Sequence, residues 1–265
     1  MKYSLIVNGA AGRMGKRIMA FACEDGFFSI SAAIEHPKHP DLGKNIGQLA
    51  GIEALNVALQ SQLPSAGDVM IDFSLPEAAD ASIRHCADNN IALVLGTTGL
   101  SAAQFELLRQ AAGKIAIVQA TNMSLGMNLL FSLVGKVAKS LGAEYDIEII
   151  EAHHRFKKDA PSGSALSLAE AICKETGRSY PGGLVHGREG KDVPRQAGEI
   201  GMHAVRAGDI IGQHTVLYSS LGESVTIAHN AHTRDTFARG ALRAAKWVVE
   251  QKPGLYSMKD VLGLQ

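Results

Sequence analysis

Short apolar, β-branched runs alternate with longer stretches of helical periodicity along the first half of the chain. YSLIVN at 3–8 leads into an amphipathic RMGKRIMAFACEDG at 13–26 and then SISAAIE at 29–35. A loop rich in His, Pro and Gly runs from His36 to Gly51. The alternation resumes with VMIDFS at 69–74, a helix opened by Pro76 and Glu77, IALVLGTT at 91–98, a helix after Ser101, and IAIVQAT at 115–121. Turnover of this kind predicts βαβ units. Strands so uniformly apolar need cover on both faces, so residues 1–124 read as a parallel sheet between helix layers, a doubly wound α/β domain.

The pattern changes at 124. SLGMNLLFSLVGKVAKSLG at 124–142 places Leu125, Met127, Leu129, Leu130, Leu133 and Val134 on overlapping helix faces, wide enough to be covered on more than one side, and joins two domains. YDIEIIEAHH at 145–154 reads as a strand, and Pro-Ser-Gly-Ser at 161–164 opens a helix. IGMHAVRAG, QHTVLYSS and SVTIAHN, between 200 and 230, alternate and are separated by Gly-rich turns. They predict the antiparallel part of an open mixed sheet, hence an α+β domain over 125–232 whose strand edges exceed what a monomer comfortably leaves bare. A last helix from about Thr233 carries Phe237, Leu242, Trp247 and Val248, and 233–265 is expected to pack back on the first domain.

Composition narrows the function classes. The chain has 265 residues, 46% of them hydrophobic, enough for a large core. Lys plus Arg and Asp plus Glu number 26 each, which argues against a surface built to neutralise a nucleic-acid backbone or an anionic membrane. Cys23, Cys86 and Cys173 are an odd, scattered set, so neither a disulfide framework nor a metal site is expected, and a reducing cytoplasm fits. The apolar run before Asn8 is too short for a signal-peptide core, and none approaches a membrane span.

Gly9, Gly12 and Gly15 form GAAGRMG directly after the first strand and before the first helix. A backbone turning tightly there lets a pyrophosphate approach its amides, and the helix dipole favours the negative charge. Glu35 ends the second strand, where a carboxylate accepts hydrogen bonds from an adenosine ribose. Arg13 supplies a cation near the expected phosphates. GTTG at 96–99 and ATNMS at 120–124 close further strands on the same edge; Asn122 either contacts a nicotinamide or caps the next helix. The spacing GxxGxxG departs by one residue from the commonest dinucleotide fingerprint.

The second concentration of chemistry is EAHHRFKKDAPSGSAL at 151–166. His153, His154, Arg155, Lys157 and Lys158 crowd the exit of a strand, joining groups that titrate near neutrality to fixed cations. Ser162, Gly163 and Ser164 follow at a helix start, a seat for a carboxylate. Together they suit a small dianionic substrate.

These two motifs, with IDFS, GTTG, the ATN-S segment and VRAGDIIGQHTV at 205–216, resemble the dihydrodipicolinate (4-hydroxy-tetrahydrodipicolinate) reductase family of bacterial lysine and diaminopimelate biosynthesis, over essentially the whole chain. The resemblance implies an oxidoreductase with a Rossmann-like first domain, NADH or NADPH as cofactor, a small dicarboxylate substrate and a homotetramer. It implies that Gly9, Ala10, Ala11, Gly12, Arg13 and Met14 hold the pyrophosphate and Glu35 the ribose. Gly96, Thr97 and Thr98, with Ala120, Thr121, Asn122 and Met123, serve the nicotinamide side. His153 matches the family's proton donor or acceptor, Lys157 its proton donor, His154 a substrate contact, and Gly163 with Ser164 the carboxylate cradle. Ser164 stands where Thr is usual, Phe156 where some members have His, and Met123 where Phe is common. His36 stands where some place an Arg for the extra phosphate of NADPH, and Lys38 or His39 is the available substitute. The rivals are another nicotinamide-dependent enzyme of a small dicarboxylic acid, such as an aspartate dehydrogenase-like activity, and a non-catalytic dinucleotide sensor.

Overall fold

The computed structural model describes residues 2–264. In chain order the elements are β1 (Tyr3–Asn8), α1 (Arg13–Asp25), β2 (Phe28–Ile34), α2 (Ile46–Ala50), β3 (Leu59–Gln60), β4 (Val69–Asp72), α3 (Pro76–Asn89), β5 (Ala92–Leu95), α4 (Ala102–Ala111) and β6 (Ala116–Gln119). There follow α5 (Leu125–Leu141), β7 (Asp146–His153), α6 (Gly163–Thr176), β8 (Leu184–His186), β9 (Ile200–Arg206), β10 (Gly212–Ser220) and β11 (Glu223–Ala231). The chain ends with α7 (Asp235–Val248), β12 (Gly254–Tyr256) and α8 (Met258–Leu262). The described residues fall into two units, the first made of 2–125 and 235–263, the second of 126–234 with 264.

In the first unit seven strands form one sheet in the order β12-β6-β5-β4-β1-β2-β3. Every pairing is parallel. Because side chains alternate across a strand, Leu5 and Val7 face one layer and Ile6 the other. One layer packs α1, α7 and α8 against the sheet through Ile18, Met19, Ala241, Ala245, Val248 and Met258. The other packs α3 and α4 through Ala79, Ile83, Cys86 and Leu108. The alanine-rich face of α7 lets it lie close: a Cβ on Gly240 would fall 1.8 Å from the Met123 carbonyl oxygen. The order of the sheet reverses between β1 and β4, and a crevice opens at the carboxyl ends of such a pair.

In the second unit five strands run in the order β11-β10-β7-β9-β8. Ile147, Ile149, Val216 and Tyr218 face a core shared with Met127, Leu130 and Val134 of α5 and with Leu168 and Ile172 of α6. The Tyr218 hydroxyl donates to the Val134 carbonyl at 2.7 Å.

Three expectations need correction. The run 200–208 is not antiparallel: β9 pairs in parallel with both β7 and β8, because α6 returns the chain into β8 and the long connection 187–199 then carries it back to start β9 at the same end. The antiparallel pairings of this sheet, among the described residues, are those β10 makes with β7 and with β11. The loop 36–51 contains α2, whose N-cap Asn45 accepts from the Gly47 amide at 2.9 Å. On α5, Leu129 and Leu133 stay 42% and 38% exposed, so the stripe is covered on one side within this chain.

Candidate active site

At the crevice of the parallel sheet, the fold itself requires two of the three glycines. Gly9 has φ +74°, and a Cβ there would lie 2.6 Å from the Phe73 carbonyl oxygen; one on Gly15 would lie 2.3 Å from the Gly9 carbonyl oxygen. A Cβ on Gly12 would meet only the Gly9 oxygen, at 3.1 Å. Gly12 is the extended N-cap of α1, without a side-chain cap, and the first turn carries no acid. The opening amides of α1, at Arg13 and Met14, thus meet no anionic side chain of their own turn, the state in which a helix start accepts a phosphate. Glu35 lies beside them, its two oxygens accepting from the amides of Ala11 at 3.1 Å and His36 at 3.0 Å. Gly9, Gly12, Glu35, His36, Phe73 and Ser74 are among the residues lining a cavity of about 530 Å³.

A buried carboxylate organises this edge. Asp72 Oδ2 accepts from Asn8 Nδ2 at 2.9 Å, and Oδ1 accepts from the Ser74 amide and hydroxyl at 2.8 and 2.6 Å and from the Thr97 hydroxyl at 3.0 Å. The ends of β1, β4 and β5 are thereby tied to one side chain. Asn8 in turn accepts from the Gly9 amide at 3.1 Å, so the network reaches the turn. Thr97 faces inward and is buried, whereas Thr98 and Thr121 are exposed. Gly96 lies against the Phe73 ring, which a Cβ would approach to 2.5 Å. Asn122 Oδ1 accepts from the Ser124 amide at 2.9 Å, just before α5. Ala10 and Met123 are buried in the core.

In the second unit the basic segment begins on β7. Register sets His153 against Arg206 of β9 and Glu151 against His214 of β10, so four polar side chains meet on the core side of the sheet. Glu151 is 1% and His153 8% exposed. Glu151 Oε2 lies 2.5 Å from His153 Nδ1; the Arg206 fork reaches Oε2 at 2.9 Å and Oε1 at 2.8 Å; the Ser162 amide donates to Oε1 at 3.0 Å. Burial pushes the Glu151 carboxyl up, but Arg206, His153 and the Ser162 amide outweigh it and hold the group below the ordinary carboxylate range. Burial lowers the His153 imidazole, against the pull of Glu151, and Lys157 and Arg206 lower it further. His214 crosses His153 edge-on at 5.2 Å between centroids, with Nε2 3.3 Å from the Ser162 hydroxyl. Burial, reinforced by His153, brings His214 down to about 4.

The same loop leads to α6, where Ser162 is the N-cap. Its hydroxyl accepts from the Ala165 amide at 3.3 Å. Gly163 is exposed, and a Cβ there would meet nothing within 4 Å. Lys157 pairs with Asp159 at 2.9 Å. His154 is half-buried and its ring lies 6.4 Å from that of Phe156. Arg155 and Lys158 are exposed. The arrangement offers a proton-carrying ring and an amine beside a helix start that can receive a carboxylate.

Residues 3–123 match the family model for the N-terminus of dihydrodipicolinate reductase, and residues 126–262 the model for its C-terminus. The chain belongs to the dihydrodipicolinate reductase family. Two relatives are named 4-hydroxy-tetrahydrodipicolinate reductase. That of Syntrophus aciditrophicus is 44% identical over 263 residues, 98% of either chain; that of Alkalilimnicola ehrlichii is 46% identical over 267 residues, 100% of either chain. The dipicolinate-bound dihydrodipicolinate reductase of Paenisporosarcina sp. TG-14 shares the fold, with a TM-score of 0.77 at 24% identity over 98% of this chain and 99% of that one.

Dihydrodipicolinate reductase membership makes the chain a nicotinamide-dependent oxidoreductase with a Rossmann-like domain, as the sequence motifs imply. Glu151, Arg206, His214, Asp72 and Asn8 received no role from the sequence. A period-two reading of β7 puts Glu151 on the face of His153, a signal that was there to be used. Arg206 and His214 join only through strand register.

Proposed function

We propose that this protein reduces 4-hydroxy-tetrahydrodipicolinate to tetrahydrodipicolinate with NADH or NADPH, in lysine and diaminopimelate biosynthesis. The observation that carries the reading is the Glu151, His153 and Ser162 cluster at the start of α6, whose residues bracket Lys157 in the sequence. A chain that only sensed a dinucleotide has no use for it.

The first unit fits a dinucleotide. The uncapped start of α1 and Gly12 suit a pyrophosphate, and Glu35 at the cavity rim suits a ribose diol. Gly9 to Met14, Glu35, His36, Gly96 to Thr98 and Ala120 to Met123 are the proposed holding residues, with Thr97 and Met123 contributing backbone because their side chains are buried. When bound, the reduced nicotinamide supplies a hydride to a ring carbon of the substrate. Glu35 repels a phosphate on the ribose, and His36 replaces a fixed cation, so NADH is proposed to serve at least as well as NADPH.

The second unit handles the two carboxylates and the proton. The amides of Gly163 and Ser164 receive one carboxylate, with the dipole of α6 behind them. His154 and the positive charge of Lys157 hold the ring. Lys157 delivers a proton to the atom next to the carbon that gains hydride, with His153 assisting, which offsets negative charge as it develops. A homotetramer is proposed too, supported by the exposed nine-residue edge strand β11. Among the described residues no helix is long and apolar enough to cross a membrane. The thiols of Cys23, Cys86 and Cys173 are unpaired, which suits the cytoplasm.

The test is NADH oxidation on addition of the freshly made product of dihydrodipicolinate synthase, compared with oxaloacetate plus ammonia and, in reverse, NAD reduction by aspartate. Oxidation with the synthase product alone is the expected result. Turnover with aspartate or oxaloacetate instead, or nucleotide binding without turnover, overturns the proposal.

A further inference from the structure

We propose that Glu151 is a positioning residue for the reduction: it holds the His153 ring with Nδ1 as the donor and keeps Nε2 as the nitrogen that faces the reaction. The proposal rests on the reading of His153 as a proton-handling group and adds a residue through which it acts.

The geometry is specific. An ionised carboxylate only accepts, so the 2.5 Å contact with His153 Nδ1 requires that nitrogen to carry the hydrogen. Among the described residues no hydrogen-bond partner stands at His153 Nε2. The position beside it is Gly212, where a Cβ would come to 3.3 Å from that nitrogen; the absence of a side chain keeps it uncovered. A buried carboxylate needs compensation on all its lone pairs, and here it has it: both Arg206 amino groups and the Ser162 amide fill the remaining sites. Arg206 is held in turn by the Asp159 carbonyl at 2.6 Å. Ser162 immediately precedes Gly163 and Ser164, so one carboxylate aligns the imidazole at the end of β7 with the carboxylate seat at the start of α6.

The charged and titratable groups facing His153 are Glu151 on its own strand, Arg206 on β9, the neutral His214 on β10 and Lys157 on the loop. Glu151 is the one anion among them. Its removal leaves the imidazolium facing cations and a neutral ring, and therefore lowers the proton affinity of His153.

The experiment has two arms. Long-range ¹H–¹⁵N spectra of the ¹⁵N-histidine-labelled wild-type protein, with His153→Gln to assign the resonance, report the tautomer directly. The Nδ1–H form is expected, and an Nε2–H form overturns the proposal without recourse to any Glu151 variant. The second arm compares Glu151→Gln and Glu151→Asp. The Gln variant should titrate His153 at least about one pH unit lower, and the inflection of the kcat–pH profile that follows His153 should move down by the same interval. The Asp variant, which keeps the charge at shorter reach, should recover part of that displacement. A purely structural role for Glu151 would lower the amount of folded enzyme and leave both titrations where they were, which sinks the proposal. If the tautomer and the titration behave as stated while no variant or wild type oxidises NADH with the dicarboxylate, the failure lies in the proposed reaction and not in the positioning.

Discussion

Replacing Lys157 by Ala separates chemistry from folding and from coenzyme binding. The lysine pairs with Asp159 at 2.9 Å, with side-chain exposures of 23% and 57%. Loss of such a pair costs about 0–1 kcal/mol of stability, so the variant should fold. Removing a general acid raises the barrier by roughly 3–5 kcal/mol, a fall of about 10²- to 10⁴-fold in kcat. The proposed dinucleotide residues are in the other unit, so the NADH dissociation constant, read by fluorescence titration, should change less than about threefold. Lys157→Arg sharpens the test. Guanidinium keeps the charge for a substrate carboxylate but does not surrender its proton, so KM should recover toward wild type while kcat stays low. Ordinary turnover in the Ala variant, or full recovery of kcat in the Arg variant, refutes the assignment of proton delivery.

Three further predictions follow from the same structure. The fold keeps His214 neutral, with its pKa near 4 against an ordinary 6.5, so the unfolded chain binds that proton first. Stability is therefore lost as pH falls from 6.5 toward 4, by up to about 3 kcal/mol from this group, and urea unfolding of His214→Gln should show a shallower decline; parallel curves would rule this out. Asp72→Asn places an amide nitrogen against Asn8 Nδ2, whose partner oxygen already serves Gly9, and should cost roughly 1–3 kcal/mol in chemical denaturation, whereas an unchanged midpoint would mean that the network does not hold the strand ends together. His36→Arg should raise kcat/KM for NADPH relative to NADH about tenfold or more, and a wild-type ratio heavily favouring NADPH would contradict the cofactor assignment.

Sequence reading succeeds here where chemistry is local. The strands of the parallel sheet announce themselves as apolar runs, and GAAGRMG signals a strand-to-helix turn because Gly9 and Gly15 are required within six residues of each other by backbone contact. EAHHRFKKDAPSGS is legible because its cations and its helix start are contiguous. What escapes is whatever depends on pairing between distant strands. The direction of β9 is set by the long connection 187–199 that follows β8, not by its own alternation. The Glu151 hub draws Arg206 and His214 from two other strands, and no periodicity reveals a register. β8 and β12, three residues each, are too short to show any period. Gly240 reads as a neutral helix position until the Met123 carbonyl is seen beneath it.

The most direct test of the account is a crystal structure with reduced coenzyme and pyridine-2,6-dicarboxylate soaked in together. The coenzyme phosphates should rest on the amides of Arg13 and Met14, and the ring compound should place one carboxylate on the amides of Gly163 and Ser164 with Lys157 beside it. Density for the ring anywhere other than the 153–164 segment, or no coenzyme at the glycine turn, would contradict it.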